Sequence, residues 1–183
     1  MILKNKVIGS QLFFAREGTV IAGEGGGTVS QTYLPTATDG AAPGANWPSM
    51  GRVKDFTANH KEDTLDLVLP SPGRYQRVDE IVQSTMLDLS FSIPDMSPLF
   101  WETMLLGKAD PDSGIYSIGS SNGRVRGWLK VMQYDQADEE QNLFNVYVSA
   151  TFKPVKFENK LIITELDAKV LFSALATGTL TFA

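Results

Sequence analysis

Apolar and polar side chains alternate with a period of two along several stretches of this sequence. The clearest example is 84–93, where Leu87, Leu89 and Phe91 are separated by single polar residues. Successive side chains of a β-strand point to opposite faces of the sheet, so this pattern predicts a strand with one buried and one polar face. Five further stretches carry the pattern over longer or shorter lengths: 11–16, 64–69, 125–134, 143–153 and 162–172. The chain is therefore expected to be mainly β, an antiparallel β-sandwich or barrel.

One segment has the start and stop signals of a short helix. Ser97 is a favourable N-cap, Pro98 suits the first helical position, and Gly107 suits the residue past the C-terminus. A helix is therefore predicted over Pro98–Leu106. Its apolar side chains occur at nearly every angle, so we expect the sheet to cover one side and a neighbour to cover the other.

The segment 23–51 has a different composition, rich in Gly, Pro, Ala, Thr and Ser. It lacks the periodic apolar residues of a core element, and we interpret it as a long flexible loop inside a single domain spanning 1–183. Pro70 and Pro72 are expected to end the strand at 64–69. The residues 177–183 alternate apolar side chains with threonines. We interpret them as a C-terminal arm that would pair with the sheet edge of another subunit.

Composition excludes several classes of function. The chain has 183 residues and no cysteine, which removes disulfides, thiol nucleophiles and cysteine metal sites. The formal net charge of −5 argues against a protein that grips nucleic acid by neutralising phosphates, although not against one that lets it slide past. We expect no export signal at the N-terminus, and no apolar stretch reaches the ~18 residues needed to cross a bilayer.

The motifs that resemble ligand sites are incomplete. The glycine cluster at 23–27 lacks the Lys-Ser/Thr pair of a phosphate-binding loop, and 110–114 lacks the glutamate of a calcium loop. His60 is the only histidine and is interpreted as a solvated loop residue. No catalytic, cofactor or metal site is expected from these patterns.

Two features leave enzymatic or binding functions open. The acidic run at 138–140 could belong to a carboxylate-based glycosidase, although a solvated hairpin loop is the simpler interpretation. The tryptophans could stack on sugar rings, but Trp101 and Trp128 fall on elements where core or interface positions are more natural.

The order of segments from 51 to 172 resembles a known family. GRVKDF at 51–56, DTLDL at 63–67 and GRYQRVDEIVQS at 73–84 precede an alternating strand and a Ser-Pro-capped helix. This arrangement resembles the major tail tube proteins of long-tailed (siphovirus-like) bacteriophages. The resemblance implies a β-sandwich with one flanking helix, assembled as homohexameric rings that stack into a tube for viral DNA.

The resemblance also implies partners and a location. The partners would be further copies of this chain, a tape measure protein, tail-end proteins and double-stranded DNA in passage, with no membrane. The location would be the virion tail, and the host cytoplasm during assembly. The alternative is a β-sandwich module of the same kind of particle that binds carbohydrate or the host surface, with a glycosidase as a more distant option.

Two groups of residues are expected to serve such a tube. A DNA channel should be lined with small hydroxyls and carboxylates, because lysines and arginines would hold the phosphates. The candidates for the channel lining are Asp88, Ser90, Ser92, Asn145, Ser149, Thr151, Glu165 and Asp167. The candidates for contacts between subunits are Leu99, Phe100, Trp101, Leu105, Leu180 and Phe182.

Overall fold

The computed structural model describes residues 9–21, 26–35, 47–94, 98–109, 116–119, 124–134, 140–155 and 163–178. Within these ranges the chain forms strands and one short helix, α1 (Pro98–Met104). The strands are β1 (Gly9–Arg16), β2 (Ser49–Val53), β3 (Asp55–Ser71), β4 (Arg74–Ile93), β5 (Lys108–Ala109), β6 (Tyr116–Ser117), β7 (Val125–Tyr134), β8 (Glu140–Phe152), β9 (Thr164–Leu171) and β10 (Thr177–Gly178). The prediction of a mainly β fold with one short helix is confirmed.

Eight strands form one antiparallel sheet in the order β2-β1-β7-β8-β9-β4-β3, with β10 beside β8. β5 and β6 pair separately. The two ends of the main order, β2 and β3, are joined through Lys54 alone, whose N–H donates to the carbonyl of Ser92 at 2.8 Å. One nearly continuous stretch of chain therefore pairs with β1 on one side and β4 on the other, and the sheet curls into a barrel.

The apolar faces of the predicted strands meet inside this barrel. Leu166 of β9 lies between Phe91 of β4 and Phe152 of β8, and all three are buried. Helix α1 closes the end of the barrel where β4 and β8 finish, and its Phe100 ring packs edge-to-face on Phe152 at 5.2 Å. We call this the helix end of the barrel.

The helix ends earlier than the sequence predicts, and in a different way. Leu106, rather than Gly107, adopts the left-handed conformation, with φ of 51°. The N–H of Gly107 donates back to the carbonyl of Glu102 at 2.8 Å, which satisfies one of the terminal carbonyls. Glycine is required at 107 for space, because a Cβ would lie 2.5 Å from the carbonyl oxygen of Ser117.

The expectation that 23–51 contributes nothing to the core is wrong for its described parts. Val29 and Trp47 are buried in a second apolar cluster on the outer surface of the sheet, against Trp128 and Tyr147. The indole N–H of Trp128 donates to the carbonyl of Ser30 at 2.8 Å. Two short pieces of this glycine-rich segment therefore cover an apolar area that the barrel interior does not reach.

The strand predicted at 64–69 is part of a much longer hairpin made by β3 and β4. Pro70 lies within β3, which tolerates it because β3 is at the end of the strand order. The turn falls at Pro72-Gly73, where Gly73 has φ of 80°. His60 also lies in β3 rather than in a loop, and it remains exposed, 3.7 Å from Glu62.

Candidate assembly surfaces

Strand pairing gathers most of the channel candidates on one outer face of the barrel. Asp167 of β9 pairs with Ser90 of β4 on one side and with Thr151 of β8 on the other. Side chains directly opposite each other in such pairs lie on the same face of the sheet. This surface, the polar face, contains Asp88, Ser90, Ser92, Ser149, Thr151, Glu165 and Asp167. Three separately predicted strand faces thus form one continuous surface.

Asn145 is not part of this surface. It lies on the same side of β8 as Ser149, but the buried ring of Tyr147 separates the two residues. Its neighbour across β7 is Lys130, whose ammonium group lies 5.5 Å from the ring centre of Trp47. Asn145 therefore borders the outer apolar cluster.

Hydrogen bonds and ion pairs link the charged groups of the polar face. The hydroxyl of Ser90 donates to Asp167 Oδ1 at 2.7 Å. Lys153 Nζ lies 2.8 Å from Glu165 and 3.5 Å from Asp167, and its pKa is raised, first by the hydrogen bond to Glu165. The acidic side chains are therefore held in place and partly neutralised.

The charge of the polar face differs from the sequence-based expectation. Lys61 Nζ binds Asp88 at 2.7 Å, and this hydrogen bond raises the pKa of the ammonium group. Lys169 lies between Asp88 and Ser149 in the strand pairing. Together with Lys153 and with Arg126, which lies opposite Ser149, these lysines balance four carboxylates: Asp88, Glu165, Asp167 and Asp55, which lies opposite Ser92. The surface is hydrophilic and nearly neutral, rather than negative.

The helix candidates fall into two groups. Phe100 is fully buried inside the barrel, so its proposed role in a contact between subunits is wrong. Leu99, Trp101 and Leu105 are only partly buried. The Trp101 ring packs on Phe100 at 5.2 Å and leaves part of its surface exposed. The other two candidates, Leu180 and Phe182, lie outside the described residues.

One large exposed surface that the sequence did not lead us to expect is the outer part of the β3–β4 hairpin. Beyond the pair Asp63–Ser84 the two strands continue to the turn at Pro72-Gly73. Eight residues of β3 belong to this part, a length of roughly 30 Å. Every side chain described between 61 and 83 is exposed, so neither face of the projecting hairpin packs against the barrel.

One face of the projecting hairpin is apolar. Leu65, Leu67 and Leu69 alternate along β3 with exposed fractions of 51%, 41% and 49%, and Ile81 lies opposite Leu65. We call these four residues the leucine stripe. They could have been suspected from the Leu-x-Leu-x-Leu pattern followed by a Pro-Gly turn.

The opposite face of the hairpin is held by ion pairs. Arg77 Nη2 lies 2.7 Å from Asp66 and 2.5 Å from Glu80. This face combines the ion pairs with three exposed apolar or aromatic side chains, Val68, Val82 and Tyr75. The other face carries the leucine stripe, which has no cover within the described part of the chain.

The described residues show neither a cluster of metal ligands nor a membrane-spanning helix. No group of three or more His, Asp or Glu side chains in this part is placed to hold a metal ion. None of its helices is long and apolar enough to cross a membrane. Comparison of the sequence with known proteins found no matching protein family and no significant similarity to a curated protein.

Proposed function

We propose that this chain is a structural subunit of a bacteriophage tail tube, with no enzymatic role. Copies of it would form hexameric rings that stack around a channel for double-stranded DNA. A tape measure protein and tail-end proteins would be its other partners, in the virion tail and, during assembly, in the host cytoplasm. The observation that supports this proposal most directly is the projecting hairpin with its leucine stripe.

A two-stranded hairpin in water is marginally stable at best and gains stability by packing on another layer. Here, roughly 30 Å of hairpin stands in solvent with both faces exposed. Complete burial of a leucine side chain contributes ~1.5–3 kcal/mol, so covering the stripe would be favourable. A hairpin of this kind is best explained as one half of a contact between proteins.

The direction of the stripe indicates that the cover comes from another molecule. Near the barrel, Phe56 of β3 lies on the same side as the barrel interior: its ring stacks on the buried Phe91 at 5.0 Å, although 41% of Phe56 is exposed. The leucines have odd numbers and point to the opposite side. The core of the same subunit therefore cannot cover them.

The polar face suits the lining of a DNA channel. A conduit should carry hydrophilic groups without a net positive charge, because unpaired cations bind phosphates. Lys61 and Lys153 are tied to carboxylates, which reduces their attraction for DNA. Hydroxyl groups and these ion pairs would let a duplex pass over most of the face. Arg126, which lies opposite Ser149 at one end of the face, is the cation that a partner's carboxylate would have to neutralise.

The test is to purify the full chain and determine its assembly state by sedimentation velocity and negative-stain electron microscopy over a range of concentrations. We expect rings with a central hole, sixfold symmetry in averaged images, and stacking into tubes. A protein that remains monomeric at every concentration contradicts the proposal. Saturable binding of that monomer to a glycan array would instead support the host-surface alternative.

A further inference from the structure

An open cleft of about 610 Å³ lies at the helix end of the barrel. Its lining consists of Arg16, Glu17, Arg124, Val125, Arg126 and Ser149. Three arginines in one cleft contrast with a chain whose formal net charge is −5. We call this site the arginine cleft.

Two of these arginines are available to an external anion. Arg16 is paired with Glu102 of α1. The carboxylate of Glu17 accepts a hydrogen bond from the buried Tyr147 hydroxyl. Arg124 and Arg126 are exposed, and neither forms an ion pair with a carboxylate in the described part of the chain. The cleft therefore presents two guanidinium groups beside the hydroxyl of Ser149.

Guanidinium groups favour carboxylates and phosphates, which they bind through two parallel hydrogen bonds. A second hollow, of about 190 Å³, shares Arg16 with the cleft. Its lining is mostly apolar and includes Pro48, Met50 and Leu99. The helix end therefore offers positive charge and apolar surface side by side.

The projecting hairpin carries the complementary pattern. Asp63 precedes the leucine stripe on the same side of β3, and Asp79 lies directly opposite Leu67. Neither aspartate forms an ion pair within the described residues, whereas Asp66 and Glu80 on the other face are bound to Arg77. The stripe thus combines leucines with unneutralised carboxylates.

The two surfaces lie at opposite ends of the subunit. β4 runs from the hairpin turn to Ile93, and Ile93 pairs with Thr164 at the helix end. The hairpin therefore points away from the helix end, and its own cleft is out of its reach. A contact between two different surfaces of identical copies repeats in one direction and generates a linear assembly.

We propose that the arginine cleft receives Asp63 and Asp79 of a second copy, while the leucine stripe covers the apolar hollow beside it. This inference rests on the proposed self-assembly and names the surfaces that join one subunit to the next along the tube. Electrostatic complementarity fixes the register of such a contact, because a wrong alignment places like charges together.

Charge reversal on each side tests the contact. The variant Arg124→Glu/Arg126→Glu and the variant Asp63→Lys/Asp79→Lys should each form tubes at concentrations at least about tenfold higher than the wild type. Mixed in equal amounts, the two should restore end-to-end contact in sedimentation and microscopy, because each supplies the charge that the other needs. The matched control, Asp66→Arg/Arg77→Asp, reverses two charges on the other face while keeping them paired, and it should assemble at the wild-type concentration.

The outcomes separate this inference from the proposed function. Normal tubes from both folded cleft and hairpin variants would overturn the role of the cleft and leave the proposed function standing. A wild-type protein that never associates would overturn both. The substituted residues are exposed, and a melting temperature close to that of the wild type verifies that each variant is folded.

Discussion

Replacing Leu65, Leu67 and Leu69 together by serine should prevent assembly while leaving the monomer folded. These residues lie on the projecting hairpin, and all three are substantially exposed in the single subunit. The substitutions keep the backbone pairing of β3 with β4, and they leave the barrel interior untouched. A loss of assembly by this variant, with an unchanged monomer stability, would therefore show that the leucines act in a contact between subunits rather than in folding.

The size of the effect follows from the remaining exposure. Complete burial of a leucine contributes ~1.5–3 kcal/mol, and the three leucines still expose 51%, 41% and 49% of their surface. Covering that remainder is worth roughly half as much, or about 2–4 kcal/mol for the three together. Since 1.4 kcal/mol corresponds to a factor of ten, association should weaken by about 30- to 700-fold.

The assay is the lowest protein concentration at which tubes form, measured by light scattering and confirmed by microscopy. A matched control replaces Val68 and Val82 by serine, because these valines expose 45% and 51% on the opposite face. The control should assemble nearly as the wild type does, and both variants should melt within about 4 °C of it. Assembly of the leucine variant at the wild-type concentration would refute the reasoning, as would an equal loss in the control.

Three further predictions concern the barrel. Burial, and then the hydrogen bond to Glu17, raise the pKa of Tyr147 to about 12. The neutral phenol therefore stabilises the folded state fully below the unfolded pKa near 10, and this stability is lost as the pH rises through 12. Between pH 10 and 12, the free energy of unfolding measured in urea should fall by roughly 2–3 kcal/mol more in the wild type than in Tyr147→Phe. Gly127→Ala should lower the free energy of unfolding by at least ~3 kcal/mol in urea titration, because its Cβ would lie 2.2 Å from the carbonyl oxygen of Ala15. Asp167→Lys should leave tubes intact but reduce infectivity in a plaque assay, because it makes the polar face positive; unchanged infectivity would contradict the channel assignment.

Strands that are buried on one face were predictable from the sequence. The range predicted for β7, 125–134, is the range observed. β1 begins two residues earlier than predicted, and β9 begins two residues later and ends one residue earlier. In β9 the apolar side chains Leu166 and Ala168 pack into the barrel, and their polar neighbours point outward. The period-two pattern records that difference directly. β1 and β7 also place alternate apolar side chains in the barrel, but their outer faces carry further apolar side chains, Phe13 and Trp128 among them.

Burial that depends on distant partners was not predictable. Val29 and Trp47 stand among glycines, prolines and polar residues, with no period that suggests a buried surface. They are buried because the barrel exposes Trp128 and Tyr147 on its outside, which leaves an apolar area to be covered. No local pattern states which segment will cover it.

The composition of the polar face was only partly predictable for the same reason. Alternation showed that Ser90, Thr151 and Asp167 lie on polar strand faces, but not that their strands are adjacent. It also gave no reason to place Lys61 and Lys153 beside their acidic partners. Strand order is a property of the whole sheet, and it determined the charge of the surface.

Strand β3 shows most clearly why the hairpin indicates a protein partner. The irregularities in its pairing place extra residues, Gln83 and Val78, in β4, so β3 itself alternates without interruption. Phe56 and Leu65 therefore lie on opposite faces of β3 because their positions differ by an odd number of residues, and not because of a bulge. Aliphatic side chains offer no hydrogen bonds to sugar hydroxyls and no aromatic face for stacking. Near the barrel, β3 turns an apolar side chain toward its own core. At its far end, its row of leucines lies on the opposite face. This row is suited to contact with another protein surface.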